Sequence, residues 1–238
     1  MHDLSIYPGE ELVLFEKAVN WKRYFSSFIK PFIKGNVLEA GAGLGANTRL
    51  LYNDSVSGWL LLEPDTSMAT ALEKKLSANE LPSVCTLVNG TVSQLAKQPA
   101  FDTIIYIDVL EHIESDKEEL DVAVQLLKPG GHLVILSPAF PGLFSPFDKA
   151  IGHYRRYTKA SLKNVIPASL SRVQIRYLDT SGFFLSLANR LFLQKKYPTQ
   201  KQVNIWDSYC VPVSKITDWL LIYSFGKTIL GTWKKNER

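Results

Sequence analysis

The residues best suited to chemistry fall at four places along the chain. The first is Glu39-Ala-Gly41-Ala42-Gly43-Leu-Gly45, directly after a short apolar run and directly before a helix-like one. Glycines accept positive φ and let a backbone approach a ligand without a Cβ in the way. A dinucleotide site would show GxGxxG, whereas the spacing here is GxGxG with a carboxylate two positions ahead. An acid there opposes a pyrophosphate and suits a cofactor bearing an amino group and a sulfonium. The second is Glu63, placed where a carboxylate about 20 residues past a glycine turn accepts both hydroxyls of a ribose. The third is Asp108 with His112, at the end of a further apolar run. An imidazole with an ordinary pKa near 6.5 is suited to take a proton from a hydroxyl. The fourth is His153, Arg155, Arg156 and Tyr157, within five positions after Gly152. Guanidinium forks bind carboxylate or phosphate at two points, so this loop is expected to recognise an anionic substrate; the alternative is an arginine pair that ties the loop to helix C-termini or to acidic residues.

The elements that must position these groups follow from hydrophobic spacing. Glu10 to Ile33 has apolar residues at helical intervals and stops near Gly35. Strands are expected over 36–40, 58–62, 84–88, 101–108, 132–138, 173–178 and 227–233. Helices are expected from about 46, over 67–76, 92–95, 115–127 and 158–165. The turn sequence Lys128-Pro-Gly-Gly131 should end the helix that precedes the fifth strand. Strict strand–helix alternation predicts an α/β, doubly wound, mostly parallel sheet, with ligands at the carboxyl ends of the strands. The apolar stretches 182–193 and 211–226 read as helices inserted between the last two strands.

The chain has 238 residues, enough for a single domain with an insertion. Its 46% hydrophobic and 21% charged content exclude disorder. The N-terminus lacks the layout of a signal peptide, and no apolar run approaches the roughly 20 residues that cross a bilayer. Cys85 and Cys210 read as buried free thiols without metal spacing. A cytoplasmic protein is expected. The net charge of +4 conceals an asymmetry: residues 1–148 hold 11 Lys and Arg against 19 Asp and Glu, while residues 149–238 hold 16 against 4. The acidic part, at −8, carries the cofactor motifs, and the basic part, at +12, points to an anionic substrate or surface, or to solvated helix faces.

Leu38-Glu-Ala-Gly-Ala-Gly-Leu-Gly45, Glu63-Pro64-Asp65, Asp108-Val-Leu-Glu111-His112-Ile113 and the segment 126–138 together resemble the class I S-adenosylmethionine-dependent methyltransferases, in particular the UbiE-like or type 11 small-molecule branch. The stretch Gly152-His-Tyr-Arg-Arg-Tyr157, with Phe225-Gly-Lys227, is similar to a bacterial subgroup of that family. The resemblance implies a seven-stranded sheet of order 3-2-1-4-5-7-6 with the last strand antiparallel. It implies a helical lid over 1–35, a cofactor core over 36–140 and a substrate side over 141–238 of one domain. It further implies that Glu39 and Gly41 to Gly45, Ala42 included, hold the methionine part, and that Glu63 and Pro64 take the ribose. Asp108 would lie beside the reaction centre, with His112 as the candidate base. One departure stands out. Many members have an acid after the third strand for the adenine amino group, where this chain has Thr91 and Val92. Trp21 and Tyr24 on the first helix are placed to fold over the cofactor.

The expected cofactor is therefore S-adenosylmethionine, leaving as S-adenosylhomocysteine, with no metal. The acceptor is expected to be small, anionic or lipid-linked, and methylated at oxygen. Basic flanks on apolar inserted helices suit peripheral attachment to the inner membrane, and nucleic acid finds no module in the chain. A catalytically silent S-adenosylmethionine-binding protein, acting as sensor or partner, is the alternative. An NAD-dependent oxidoreductase would need the missing GxGxxG.

Overall fold

In a computed structural model, residues 14–15, 17–193 and 197–237 are described. Glu10 and Leu12, the start of the expected first helix, lie outside them. The first helix, α1, runs Val19–Ile29 and continues as a single tight turn, Lys30–Phe32. Then come β1 Gly35–Ala40, α2 Ala46–Leu51, β2 Val56–Glu63, α3 Thr66–Ser77 and β3 Cys85–Asn89. A short turn over Val92–Gln94 leads to β4 Phe101–Ile107, and a second, Leu110–His112, leads to α4 Asp116–Leu126. The chain continues through β5 Leu127–Pro138, α5 Pro146–Ala150, α6 Lys159–Val165 and β6 Leu170–Leu178. Helices α7 Thr180–Ala188, α8 Gln200–Ile205 and α9 Val211–Leu220 precede β7 Thr228–Lys235.

The seven strands form one sheet of order β3-β2-β1-β4-β5-β7-β6. β7 runs antiparallel to both neighbours, and β1 to β5 are parallel. The expected topology is the observed one. Alternation along the strands splits the core between the two faces. Val37, Ile105 and Ile107 pack with Trp21, Phe25 and Leu72 from α1 and α3. Leu38, Ile104 and Tyr106 pack with Leu120 and Ala123 of α4 and Leu162 of α6 on the other. Strands buried on both faces read as continuous apolar runs, which is why the parallel ones are so visible in the sequence.

The Lys128–Gly131 turn lies inside β5 rather than ahead of it. Phe101 pairs with Leu127, yet Thr103 pairs with His132. The KPGG segment therefore leaves the ladder as a bulge, with Gly130 at φ +75°, because a proline cannot donate to the neighbouring strand. The turn chemistry is as written; its partner strand resumes pairing on both sides of it.

Candidate active site

The glycine turn is built by its neighbours in the chain. Gly41 N and Ala42 N both donate to Leu62 O, at 2.8 and 3.1 Å, which bends the backbone across the end of β2. Gly41 sits at φ +66°, and a Cβ there would meet Val109 at 2.6 Å, so this position admits only glycine. Gly45 also has positive φ, but a Cβ on it would meet Leu72 and Leu81. Its role is packing of the turn onto α3, and it does not line the cavity described below.

Glu63 closes the turn. Its Oε2 accepts from Gly43 N at 2.8 Å and its Oε1 from Asp65 N at 3.0 Å. Burial raises its carboxyl above the ordinary range while these two N–H groups oppose the rise. Asp65 caps α3, accepting from Ser67 N and Met68 N at 2.9 Å each. Glu39 is placed differently from expectation: it is almost fully buried, accepts from Thr48 Oγ1 at 2.6 Å and Trp59 Nε1 at 2.9 Å, and is not on the cavity wall. Burial pushes its carboxyl up to about 7.

A cavity of about 960 Å³ opens at the carboxyl ends of β1, β2, β4 and β5. Ligand pockets commonly span roughly 300–1,000 Å³, so it has room for a cofactor and part of a second molecule. Gly41, Ala42, Gly43, Glu63, Pro64, Asp108, His112, His153 and Arg156 line it, together with Trp21. Asn47 and Met68, which the sequence did not single out, do so as well. Its outer wall is apolar, with Phe25, Phe147, Ile151, Leu185, Val203 and Trp206. Inserted-helix residues reach the cofactor end only through the tertiary fold, so no local pattern announces them.

Other expected contacts are elsewhere. Tyr24 is buried and donates to Asp218 Oδ2 at 2.9 Å; burial and that carboxylate raise its hydroxyl pKa strongly. It ties α1 to α9, while Trp21 and Phe25 on the same helix face the cavity. Thr91 is exposed and caps its own turn through Gln94, and Val92 is core. Neither lines the cavity, and Met68 and Pro64 do.

Asp108 has φ +53°, which turns it out of β4 and onto the cavity. Burial in the walled site raises its carboxyl to about 6, with His153 and Lys227 opposing. His112 is lowered to about 4 by burial and by the neighbouring His153. The two imidazoles meet edge to face with centroids 4.5 Å apart. Glu111 is wholly buried; its Oε2 accepts from Ser137 Oγ at 2.7 Å, and its carboxyl is raised by burial and by Asp108.

The basic loop is largely spent on structure. Arg156 forks onto Asp148, Nε to Oδ1 at 2.8 Å and Nη2 to Oδ2 at 3.0 Å, and donates to Ala139 O. Asp148 is accordingly held far below the usual carboxylate range, with His153, Arg156 and Ser145 outweighing burial. Arg155 pairs with Asp116 at 2.6 Å and donates to Glu114 O. Tyr157 is buried and donates to the same Asp116 at 2.6 Å. Arg155 and Tyr157 are not on the cavity wall. Of the two readings open to this loop, the contacts are those of an arginine pair tied to acidic residues, with His153 and Arg156 still on the cavity wall. The fold also brings together three side chains that the sequence did not group, with one ligand atom each of Glu111, His112 and His153 within 4.8 Å of one another. Spacing in sequence hid this, since His153 comes from a different loop.

Comparison with known proteins agrees with this geometry. A methyltransferase domain family matches residues 38–133. A demethylmenaquinone methyltransferase of Tropheryma whipplei (strain Twist) is 28% identical over 163 residues, which cover 67% of this chain and 65% of that one. The chain thus spans about two thirds of the length of that curated relative. Among solved structures, the N-methyltransferase NodS from Bradyrhizobium japonicum WM9, in complex with S-adenosyl-L-homocysteine, aligns with TM-score 0.56 at 13% identity, covering 94% of this chain and 88% of that one. The [4+2]-cyclase SpnF aligns with TM-score 0.63 at 13% identity, covering 97% and 95%. At such identities the structures establish the fold, and the cyclase shows why the reaction must be argued from the site.

Proposed function

We propose that the chain is a class I, S-adenosylmethionine-dependent methyltransferase that transfers a methyl group to an oxygen of a lipid-linked or otherwise largely apolar small acceptor; the methyltransferase domain match over residues 38–133 and the strand order support the first part of this reading. The observation that carries this reading is the single cavity that joins the Gly41–Glu63 turn, the Asp108 and His112 wall and an apolar outer wall.

The residues fit the cofactor. Glu63 has both oxygens fixed by backbone N–H groups and stands on the cavity wall, so their remaining lone pairs are aimed for two adjacent hydroxyls. Ala42, Gly43 and Leu44 offer a close backbone surface. S-adenosylmethionine supplies a methyl group already activated by the sulfonium. The protein contributes alignment, and well-oriented groups can lower a barrier by about 7–11 kcal/mol. Asp108 and His112 are candidates on that wall to take the proton of a hydroxyl acceptor.

The choice of an apolar acceptor over a small anion rests on two supports. Arg155 and Arg156 are neutralised by Asp116 and Asp148. Leu185 and Ile205 line the cavity and are about half exposed, and α9, which packs on the helix bearing Leu185, carries Ile216 and Trp219 with Ile222 just beyond it, 63%, 66% and 83% exposed. Exposed apolar area of this kind marks a membrane or partner contact. Among the described residues no helix is long and apolar enough to cross a membrane, so the contact proposed is a peripheral one. A small anionic acceptor and a silent cofactor-binding protein are the alternatives that the test must separate.

Calorimetry with S-adenosylmethionine and S-adenosylhomocysteine comes first; no heat at millimolar ligand overturns the reading. Labelled cofactor is then offered with hydroxylated polyprenyl acceptors and with short carboxylic acids. Label in the organic-extractable product is the expected result. Label only in the acids restores the anionic acceptor, and binding without transfer to any of them favours the silent protein.

A further inference from the structure

We propose that Glu111, His112 and His153 form a binding site for a divalent first-row transition-metal ion of the zinc and cobalt type, on the acceptor side of the cavity.

Glu111 is 0% exposed, and its two oxygens are unequal. Oε2 accepts from Ser137 Oγ, which fixes the carboxylate; Oε1 has no hydrogen-bond partner. A buried polar atom without a partner is uncommon and points to an ion or a water. Oε1 faces His153 Nε2 at 3.8 Å. The opposite nitrogen of that ring, Nδ1, lies 2.9 Å from Asp148 Oδ1, and the Arg156 fork holds that carboxylate in place. Asp148 thus engages the Nδ1 side of the ring and leaves Nε2 as the nitrogen presented to Oε1. An ion seated between Nε2 and Oε1 would give the buried oxygen the partner it lacks. A carboxylate that orients an imidazole from behind is the usual support of a metal-bound histidine. His112, whose ring packs on that of His153, brings the third ligand atom within 4.8 Å of the others.

The donor set selects the ion. Two imidazole nitrogens and one carboxylate oxygen suit zinc, cobalt, nickel or iron(II), whereas magnesium and calcium prefer all-oxygen shells. With bonds of about 2.1 Å, ligand atoms in a tetrahedral site stand roughly 3.4 Å apart. Closing the cluster from within 4.8 Å asks for up to about 1.4 Å of movement, and His112 is the most exposed member of the three. Three protein ligands leave a coordination position open to the cavity, the arrangement of reactive rather than structural sites.

The site stands on these ligands alone, but its use rests on the methyl-transfer reading. An acceptor hydroxyl at the open position becomes more acidic. Its proton passes to the Asp108 carboxylate on the same wall. The oxygen forms the new bond to the methyl carbon as the carbon–sulfur bond breaks, and that electron pair stays on sulfur. His112, as a ligand, is then not the base.

Chelator-treated full-length protein is titrated with cobalt(II), followed by visible ligand-field absorption, with zinc competing. One equivalent of cobalt with a tetrahedral-type band is expected. Glu111→Gln and His112→Gln should each weaken the ion by more than roughly 100-fold while leaving the melting temperature and the heat of S-adenosylhomocysteine binding in place. No saturable band in the wild type, or undiminished binding in His112→Gln, overturns the proposal; the exposed His112 keeps the test decisive if Glu111→Gln fails to fold. Cofactor binding without metal binding sinks this site only. Metal binding without cofactor binding sinks the methyl-transfer reading and leaves the ion standing.

Discussion

The two ends of the cavity are built by opposite means. At the cofactor end, the partners are close in sequence: Gly43 with Glu63, Glu63 with Asp65, Asp65 with Ser67 and Met68. At the substrate end, side chains meet across the chain: Arg155 with Asp116, and Tyr24 with Asp218. The contrast explains why a backbone turn can be read from its motif while the side chains around it cannot, Glu39 in that same motif being buried against Thr48 and Trp59. A local backbone turn presents its groups wherever it occurs. A cation is available to a ligand only if the fold has not already paired it, and burial of an unpaired one is costly.

The sharpest way to break this comparison is Arg156→Ala. If the fork onto Asp148 is structural, its loss leaves that buried carboxylate with only His153 and Ser145 as partners, and denaturant unfolding should show lost stability approaching the roughly 3–5 kcal/mol of a broken buried pair. A folded, equally stable variant with impaired turnover would return Arg156 to substrate binding. Next in size is the pH dependence set by Glu39, whose carboxyl is pushed up to about 7 in the folded state. Between the ordinary carboxylate pKa and that value the folded protein holds a proton that the unfolded chain has released. Stability should therefore fall as pH rises from about 4.5 to 7, by around 3 kcal/mol from this group. Unfolding of Glu39→Gln followed against pH should lack that slope.

Glu63→Ala sharpens the other side of the comparison. Hydrogen bonds to a charged group contribute about 1.5–3 kcal/mol, so S-adenosylmethionine binding should weaken by roughly 10- to 150-fold in calorimetry, with a smaller change in melting. The smallest effect is expected at Arg155→Ala. Its ion pair with Asp116 is partly exposed, and such pairs are worth about 1 kcal/mol or less. A small drop in stability with KM unchanged fits a tie between loops; a large rise in KM would reopen the anionic acceptor.

Much of the fold was legible before any coordinates. The apolar runs at Val37–Ala40, Trp59–Leu62 and Phe101–Ile107 could be seen because parallel strands are buried on both faces. The strand order came from a resemblance rather than from periodicity, which carries no information on neighbours. The KPGG turn was read correctly as a break in regular structure and wrongly as a strand boundary, since a bulge and a loop share the same residues.

By itself, the sequence determined the glycine turn, the carboxylate after β2 and the alternation of strands and helices, because each depends on residues within about 20 positions of one another. Tertiary structure alone decided which polar groups remain free to act. It tied Glu39, Arg155, Arg156 and Tyr157 to polar partners, and it brought His153 beside Glu111 and His112. The physical reason is that a side chain's chemistry is set by what neutralises or faces it, and three-dimensional packing chooses that neighbour, whether it lies 8 residues away, as Asp148 does from Arg156, or 41, as Asp116 does from Tyr157.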